Sequence, residues 1–79
     1  MSVDRHTLRA FLASELGVNV AKVEDDTLLF STGTIDSFSL VTLISFLEEQ
    51  GGFQMDAGDV NLENLDSVER ILAYVMVAS

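Results

Sequence analysis

The chain contains no cysteine, a single histidine and only four basic residues among its 79 amino acids. The absence of cysteine excludes disulfides and any thiolate supplied by this chain. A Ser-His-Asp arrangement could use only His6, which we expect to be a surface residue of the first helix. One histidine and no cysteine also make a transition-metal site improbable. We therefore expect no catalytic residue and no metal site.

The scarcity of basic residues leaves a formal net charge of −9 at pH 7, and no Lys or Arg lies between Val23 and Glu69. Nucleic acid and anionic membranes repel such a surface, so neither is an expected partner. Acidic surfaces instead attract basic partner proteins, although the charge also serves solubility.

Long apolar runs are missing as well, since no stretch approaches the roughly 20 residues that cross a bilayer. Residues 1–6 lack the apolar centre of a signal peptide. We expect a cytoplasmic monomer made of one domain over residues 1–79. The apolar content of 48% is sufficient for a compact core.

Apolar residues recur at helical spacing in three segments, whereas proline and strand-like alternation are absent. The first helix is predicted over about residues 3–16, with Ser2 or Asp4 as its N-cap. Gly17 is well placed to end it. The second helix is predicted over about 37–50, before two consecutive glycines.

A last helix is predicted to follow Asp66, which with Glu69 has the spacing of a capping box. Its apolar stripe consists of Val68, Ile71, Leu72 and Val75. A single helical turn is expected near residues 56–60. The prediction is therefore an all-α, small four-helix bundle of three longer helices and one short one.

The connection between the first two helices, residues 17–36, is long for a compact domain, and such loops are usually functional. Apolar side chains along it are expected to hold it against the core: Val18, Val20, Val23, Leu28, Leu29, Phe30 and Ile35.

This connection leads through Gly33-Thr34-Ile35-Asp36-Ser37-Phe38, which places a serine at the start of the second helix. Free N–H groups and the helix dipole favour a phosphate ester there. Asp36 is a good N-cap residue. An ordinary Asp-capped helix with a solvated serine is the alternative. Because nothing in the chain activates Ser37, chemistry on its hydroxyl requires another enzyme.

The second helix carries apolar residues on two sides. Its core stripe consists of Leu40, Leu43, Ile44 and Leu47. Phe38 and Val41 lie on the opposite side, where polar residues are usual. Either another segment covers them, or they form an exposed patch beside Ser37 that marks a docking surface.

Short pieces of the chain stand in the order and spacing of a known family. Asp36-Ser37-Phe38 is similar to that family's Asp-Ser-Leu attachment motif. The other matching pieces are Leu16-Gly17-Val18, Val23 to Asp26, Leu43-Ile44, Leu47 to Glu49, Phe53, Met55, Asp59-Val60, Asn64-Leu65 and residues 67–75. Over almost its whole length, the chain resembles acyl carrier proteins and the related aminoacyl and peptidyl carrier domains.

This resemblance implies a covalent carrier and not an enzyme. A phosphopantetheinyl transferase would attach 4′-phosphopantetheine from coenzyme A to Ser37. The thiol of that arm would hold an acyl or aminoacyl group as a thioester. The resemblance also implies that Asp36 assists recognition by the transferase, and that Phe38 and Val41 are partner-docking residues.

Some positions differ from carriers of bulk fatty-acid synthesis, which have Leu-Gly-x-Asp-Ser where this chain has Gly-Thr-Ile-Asp-Ser. Thr42 stands where they place an acidic residue, and Ser45 where they place a large apolar one. The form found here is more similar to specialised carriers, including those loaded with amino acids by stand-alone ligases.

We therefore expect a free-standing carrier in a specialised biosynthetic pathway. Its expected partners are an acyl- or aminoacyl-activating ligase and downstream transferases with basic docking surfaces. One alternative is an aminoacyl carrier loaded by a stand-alone amino-acid ligase. Another is an unmodified acidic interaction module with the same fold.

Overall fold

The computed structural model describes residues 3–78, and for Ser37 the backbone alone. Over these residues the chain forms four α-helices and no strand: α1 (Arg5–Glu15), α2 (Ser37–Gly51), α3 (Leu62–Leu65) and α4 (Val68–Ala78). Two 3₁₀ turns lie at Val20–Lys22 and Ala57–Asp59. The prediction of an all-α bundle with three longer helices and one short one is confirmed.

The ends of α1 and α2 lie close to the predicted positions because their capping residues are local. The carboxylates of Asp4 and Asp36 each accept the backbone N–H three residues further on, at 2.7 and 3.0 Å. Gly17 follows α1 with φ of 68°, and Gly52 ends α2 with φ of 70°. Glycine adopts this left-handed conformation without strain. Ser2, the other predicted cap for α1, lies outside the described residues.

The prediction for the start of the last helix is wrong. Asp66 is the C-cap of α3, and it does not cap α4. The hydroxyl of Ser67 accepts the N–H of Arg70 at 3.1 Å and so caps α4. Both residues are good cap types, and the spacing to Glu69 favoured the wrong one. The Asp66 carboxylate binds elsewhere, as described below.

The short helix also differs from its predicted position. The turn expected near residues 56–60 exists as the 3₁₀ turn Ala57–Asp59, and the short α-helix α3 follows it. Asn61 begins α3 because its side chain accepts the N–H of Asn64 at 3.0 Å. Within residues 3–78, no helix has the length and apolar character required to cross a bilayer.

One hydrophobic core joins the helices and the long connection. Its buried members are Val3, Leu8, Leu12, Val18, Val23, Leu29, Ile35, Leu43, Leu47, Leu65, Val68, Ile71 and Val75. The connection contributes four of these residues, so it is held against the core as predicted. Leu28 is an exception, because its side chain is 37% exposed.

Candidate functional site

Ser37 is the first residue of α2 and follows the N-cap Asp36 directly. The Asp36 backbone is extended, with φ of −85° and ψ of 169°. Its carboxylate accepts both the N–H of Ser39 at 3.0 Å and the Ser39 hydroxyl at 3.1 Å. The first N–H groups of a helix lack intrahelical partners, so this position favours a phosphate ester electrostatically.

The residues immediately before Asp36 are anchored to the body of the protein. Ile35 is buried, and its N–H donates to the Leu29 carbonyl at 3.0 Å. Gly33 donates its N–H to the Phe30 carbonyl at 3.1 Å and has φ of 78°. This φ suits glycine because other residues are strained there. The chain therefore reaches α2 along a fixed path.

The buried carboxylate of Asp66 holds the part of the long connection that precedes Gly33. Its side chain is 2% exposed, and its carboxylate accepts the N–H groups of Leu29 (3.1 Å), Phe30 (2.7 Å) and Ser31 (3.0 Å). The Ser31 hydroxyl also donates to it. Burial alone would raise the pKa of the Asp66 carboxyl, but hydrogen bonds to its charged form outweigh burial and lower the pKa.

The sequence prediction missed this role of Asp66. The available signal was the pair Asp66-Ser67, which offers two good caps for one helix. Only one of them can cap α4, which leaves the other free to bind donors elsewhere in the fold.

Phe38 and Val41 form an exposed apolar patch beside Ser37. Their side chains are 90% and 68% exposed, whereas Leu43 and Leu47 on the opposite side of α2 are fully buried. Of the two predicted alternatives, the covered arrangement is therefore wrong. The partner-docking role of the patch remains a prediction.

The acidic residues near the end of α2 have different roles. The Glu48 carboxylate accepts the N–H of Met55 at 2.8 Å, so it fastens the segment that follows α2. Glu49 is exposed to solvent. Glu49 is therefore the more available of the two for a partner.

The basic residues of α1 serve structural contacts. Arg5 and Arg9 both pair with Asp25, at 2.8 and 3.4 Å. Arg9 also donates to the carbonyls of Val20 and Val23, the latter at 2.9 Å. These bonds attach α1 to the long connection.

The structure places the candidate acid–base residue, His6, on the surface. His6 is exposed on α1, and it is far in sequence from the start of α2. In the described part of the chain, no three His, Asp or Glu side chains lie close enough together to hold a metal ion.

An open groove of 490 Å³ separates α1 from α2. The rings of Phe11 and Phe46 stack in it, with centroids 4.0 Å apart and planes inclined by 15°. The groove also borders Thr42, Ser45 and Glu49, which share one face of α2 with Phe38.

Comparison with known proteins gives one family. The family model described as "Phosphopantetheine attachment site" matches residues 6–75, which is most of the chain. No curated protein matches the chain significantly.

The residues at the start of α2 fit the group that this family carries, a covalently attached 4′-phosphopantetheine. Asp36 and Phe38, on either side of Ser37, are both exposed. The exposed start of a fifteen-residue helix is also favourable for the phosphate of the arm. The chain belongs to the family of phosphopantetheine-binding carrier proteins, which are non-catalytic carriers.

Proposed function

We propose that the chain is a single carrier domain over residues 1–79 that holds an acyl or aminoacyl thioester on a 4′-phosphopantetheine arm attached to Ser37. The observation that carries the proposal is the position of Ser37. It is the first residue of α2, it follows the Asp36 cap, and it lies within the matched segment. Unpaired N–H groups favour a phosphate ester at this point of a helix.

The chain and the transferase supply different groups for the attachment of the arm. It offers a hydroxyl and a helix N-terminus, while its only histidine is exposed on α1. The base that removes the serine proton has to come from the phosphopantetheinyl transferase. Asp36 orders the start of α2 for this enzyme through its two bonds to Ser39.

The proposed pathway is a specialised one. Thr42 and Ser45 are exposed on the same side of α2 as Phe38. The docking side is therefore more polar and less acidic than the pattern expected of a carrier of bulk fatty-acid synthesis. The proposed partners are an activating ligase for an acyl or amino acid and downstream transferases with basic docking surfaces.

We further propose that the carrier is free-standing and cytoplasmic. The arm ends in a free thiol, and thiols stay reduced in the cytosol. The intact mass of the protein isolated from its native cells tests whether it is free-standing. Cell fractionation tests the location.

The attachment is tested by intact-mass spectrometry after incubation with coenzyme A and a broad-specificity phosphopantetheinyl transferase. Wild-type protein should gain the mass of one phosphopantetheine, whereas Ser37→Ala should gain none and keep its helical circular dichroism spectrum.

A mass gain in Ser37→Ala would refute the assignment of the attachment residue. No gain in wild type would favour the unmodified interaction module instead. Incubating the loaded protein with acyl-activating and amino-acid-activating ligases, again followed by mass, then separates an acyl cargo from an aminoacyl cargo.

A further inference from the structure

The groove between α1 and α2 has the shape of a binding site and lies apart from the start of α2. Its volume of 490 Å³ falls in the range of about 300–1,000 Å³ typical of ligand pockets. The half-buried, stacked rings of Phe11 and Phe46 give it an apolar floor. Ser14 of α1 and Ser45 of α2 are small and exposed, so the walls leave this floor accessible.

The charged residues that line the groove are all acidic. Glu15 borders it from α1 and Glu49 from α2, and no basic residue lines it. Both carboxylates are exposed, and within the described residues neither accepts a hydrogen bond nor pairs with a cation. Asp25 and Glu48, by contrast, are engaged in internal contacts. Two unpaired carboxylates beside aromatic rings attract a cation with an apolar stem, above all arginine.

The α2 wall of the groove lies in line with Phe38 of the exposed patch, although Phe38 does not border the groove itself. Phe38, Thr42, Ser45 and Glu49 are spaced four, three and four residues apart, so they form one line along α2. At 1.5 Å per residue, this line runs for roughly 16 Å from the apolar Phe38 to the carboxylate of Glu49. An occupant that uses the whole line needs an apolar group at one end and a positive charge at the other.

We propose that the α1–α2 groove is a docking site for an amphipathic, basic helix of a partner enzyme. The helix places an apolar side chain on Phe38 and arginine or lysine side chains between Glu15 and Glu49, in the helix-in-groove mode. This rests on the proposed carrier function and adds α1 to the docking surface. A small cargo on the arm would fill part of the groove and leave the contact with Phe38 unused.

The probe is a synthetic helical peptide of about 15 residues with leucine at one end and two arginines about eleven positions away. It is titrated into ¹⁵N-labelled protein, and amide shifts are followed by NMR. The expected shifts lie along both walls, at Ser14 and Glu15 as well as at Ser45 and Glu49. Shifts confined to α2, or to α4, would overturn the proposal.

Charge-neutral variants then test the role of the carboxylates. The double variant Glu15→Gln and Glu49→Gln should weaken peptide binding about tenfold at low salt. The matched control, Glu24→Gln with Glu63→Gln, removes the same charge from exposed positions outside the groove and should change binding less than twofold. Equal weakening in both would mean non-specific attraction and would overturn the proposal.

Two further readouts distinguish other occupants. Shifts of Phe11 and Phe46 on loading a cargo, without peptide, would assign the groove to the cargo. Shifts that grow with protein concentration alone would assign it to a second copy. Either result overturns the proposal, whereas the mass gain at Ser37, measured separately on the same variants, tests only the carrier function.

Discussion

The buried carboxylate of Asp66 offers the sharpest test of how the loop before Ser37 is held. Asp66→Ala would remove the acceptor for the N–H groups of Phe30 and Ser31 and for the Ser31 hydroxyl, whereas the Leu29 N–H would keep its 2.6 Å bond to the backbone carbonyl of residue 66. A buried donor left unpaired costs about 1–3 kcal/mol. Phe30 is half-buried and Ser31 is exposed, so water can replace part of the lost bonding.

The expected loss in the free energy of unfolding is therefore about 2–3 kcal/mol, less than the sum of three unpaired donors. In a domain of this size each kcal/mol lowers the melting temperature by about 4–8 °C, so Asp66→Ala should melt roughly 10–25 °C below wild type. Asp66→Asn keeps an acceptor oxygen in place and loses only the charge. It should cost about 1–2 kcal/mol, because hydrogen bonds to charged groups are stronger than neutral ones.

The same carboxylate predicts a pH dependence. The pKa of Asp66 is lowered in the folded protein, so the unfolded chain binds its proton first as the pH falls. Its contribution to stability is complete above the ordinary pKa of 3.8 and is lost as the pH falls through the lowered value. The stability difference between wild type and Asp66→Asn should therefore shrink as the pH falls below the ordinary pKa of 3.8 and through the lowered one.

Urea unfolding followed by circular dichroism measures these differences. Asp56→Ala is the control, since Asp56 is exposed and its side chain makes no capping bond; its effect should stay within about 0.5 kcal/mol. If Asp66→Ala is as stable as this control, the loop donors are satisfied equally well by water and the reasoning is wrong. A stability gap to Asp66→Asn that does not change with pH would refute the part that rests on the charge.

Two further predictions concern the docking side and the net charge. Val41→Asp should change stability by less than about 0.5 kcal/mol, because Val41 is 68% exposed, yet it should reduce loading by the transferase or ligase. Leu43→Asp should unfold the domain, because Leu43 is fully buried and an unpaired carboxylate there is very costly. If both variants lower the melting temperature equally, Val41 is a core residue and the docking assignment is wrong. Raising the salt from about 0.01 M to 0.15 M shortens the Debye length from about 30 to 8 Å, and the melting temperature should rise by several degrees. Within the described residues, the ion pairs are Arg5–Asp25 and Arg9–Asp25. A melting temperature that does not change with salt concentration would mean that the net charge of −9 causes little repulsion.

The elements that the sequence predicts well are those with local signals. The caps Asp4 and Asp36 act on N–H groups three residues away, and Gly52 ends α2 through its own backbone conformation. The position of Ser37 at the start of α2 follows from the same signals. Helical spacing likewise identified Leu43 as core and Phe38 as outward-facing.

The elements that the sequence misassigned depend on distant residues or on very short segments. Asp66 binds donors 35 to 37 residues away, and no local pattern indicates which carboxylate they will meet. Helix α3 has four residues, too few to show a helical period. The groove needs Phe11 and Phe46 side by side, which only the packing of α1 on α2 determines.

The bonds between the long connection and the α3–α4 junction also bear on the order of events during protein synthesis. Besides the Asp66 contacts, Glu69 donates its N–H to the Asp25 carbonyl at 2.8 Å. A ribosome makes the loop and Ser37 well before it makes residues 66–69, so the nascent chain has the serine but lacks the partners that hold the path leading to it. Modification of Ser37 should therefore wait until the C-terminal segment has left the ribosome. A nascent chain that is stalled on the ribosome and ends before Asp66 should be a poor substrate for the transferase, even though it contains the whole attachment motif.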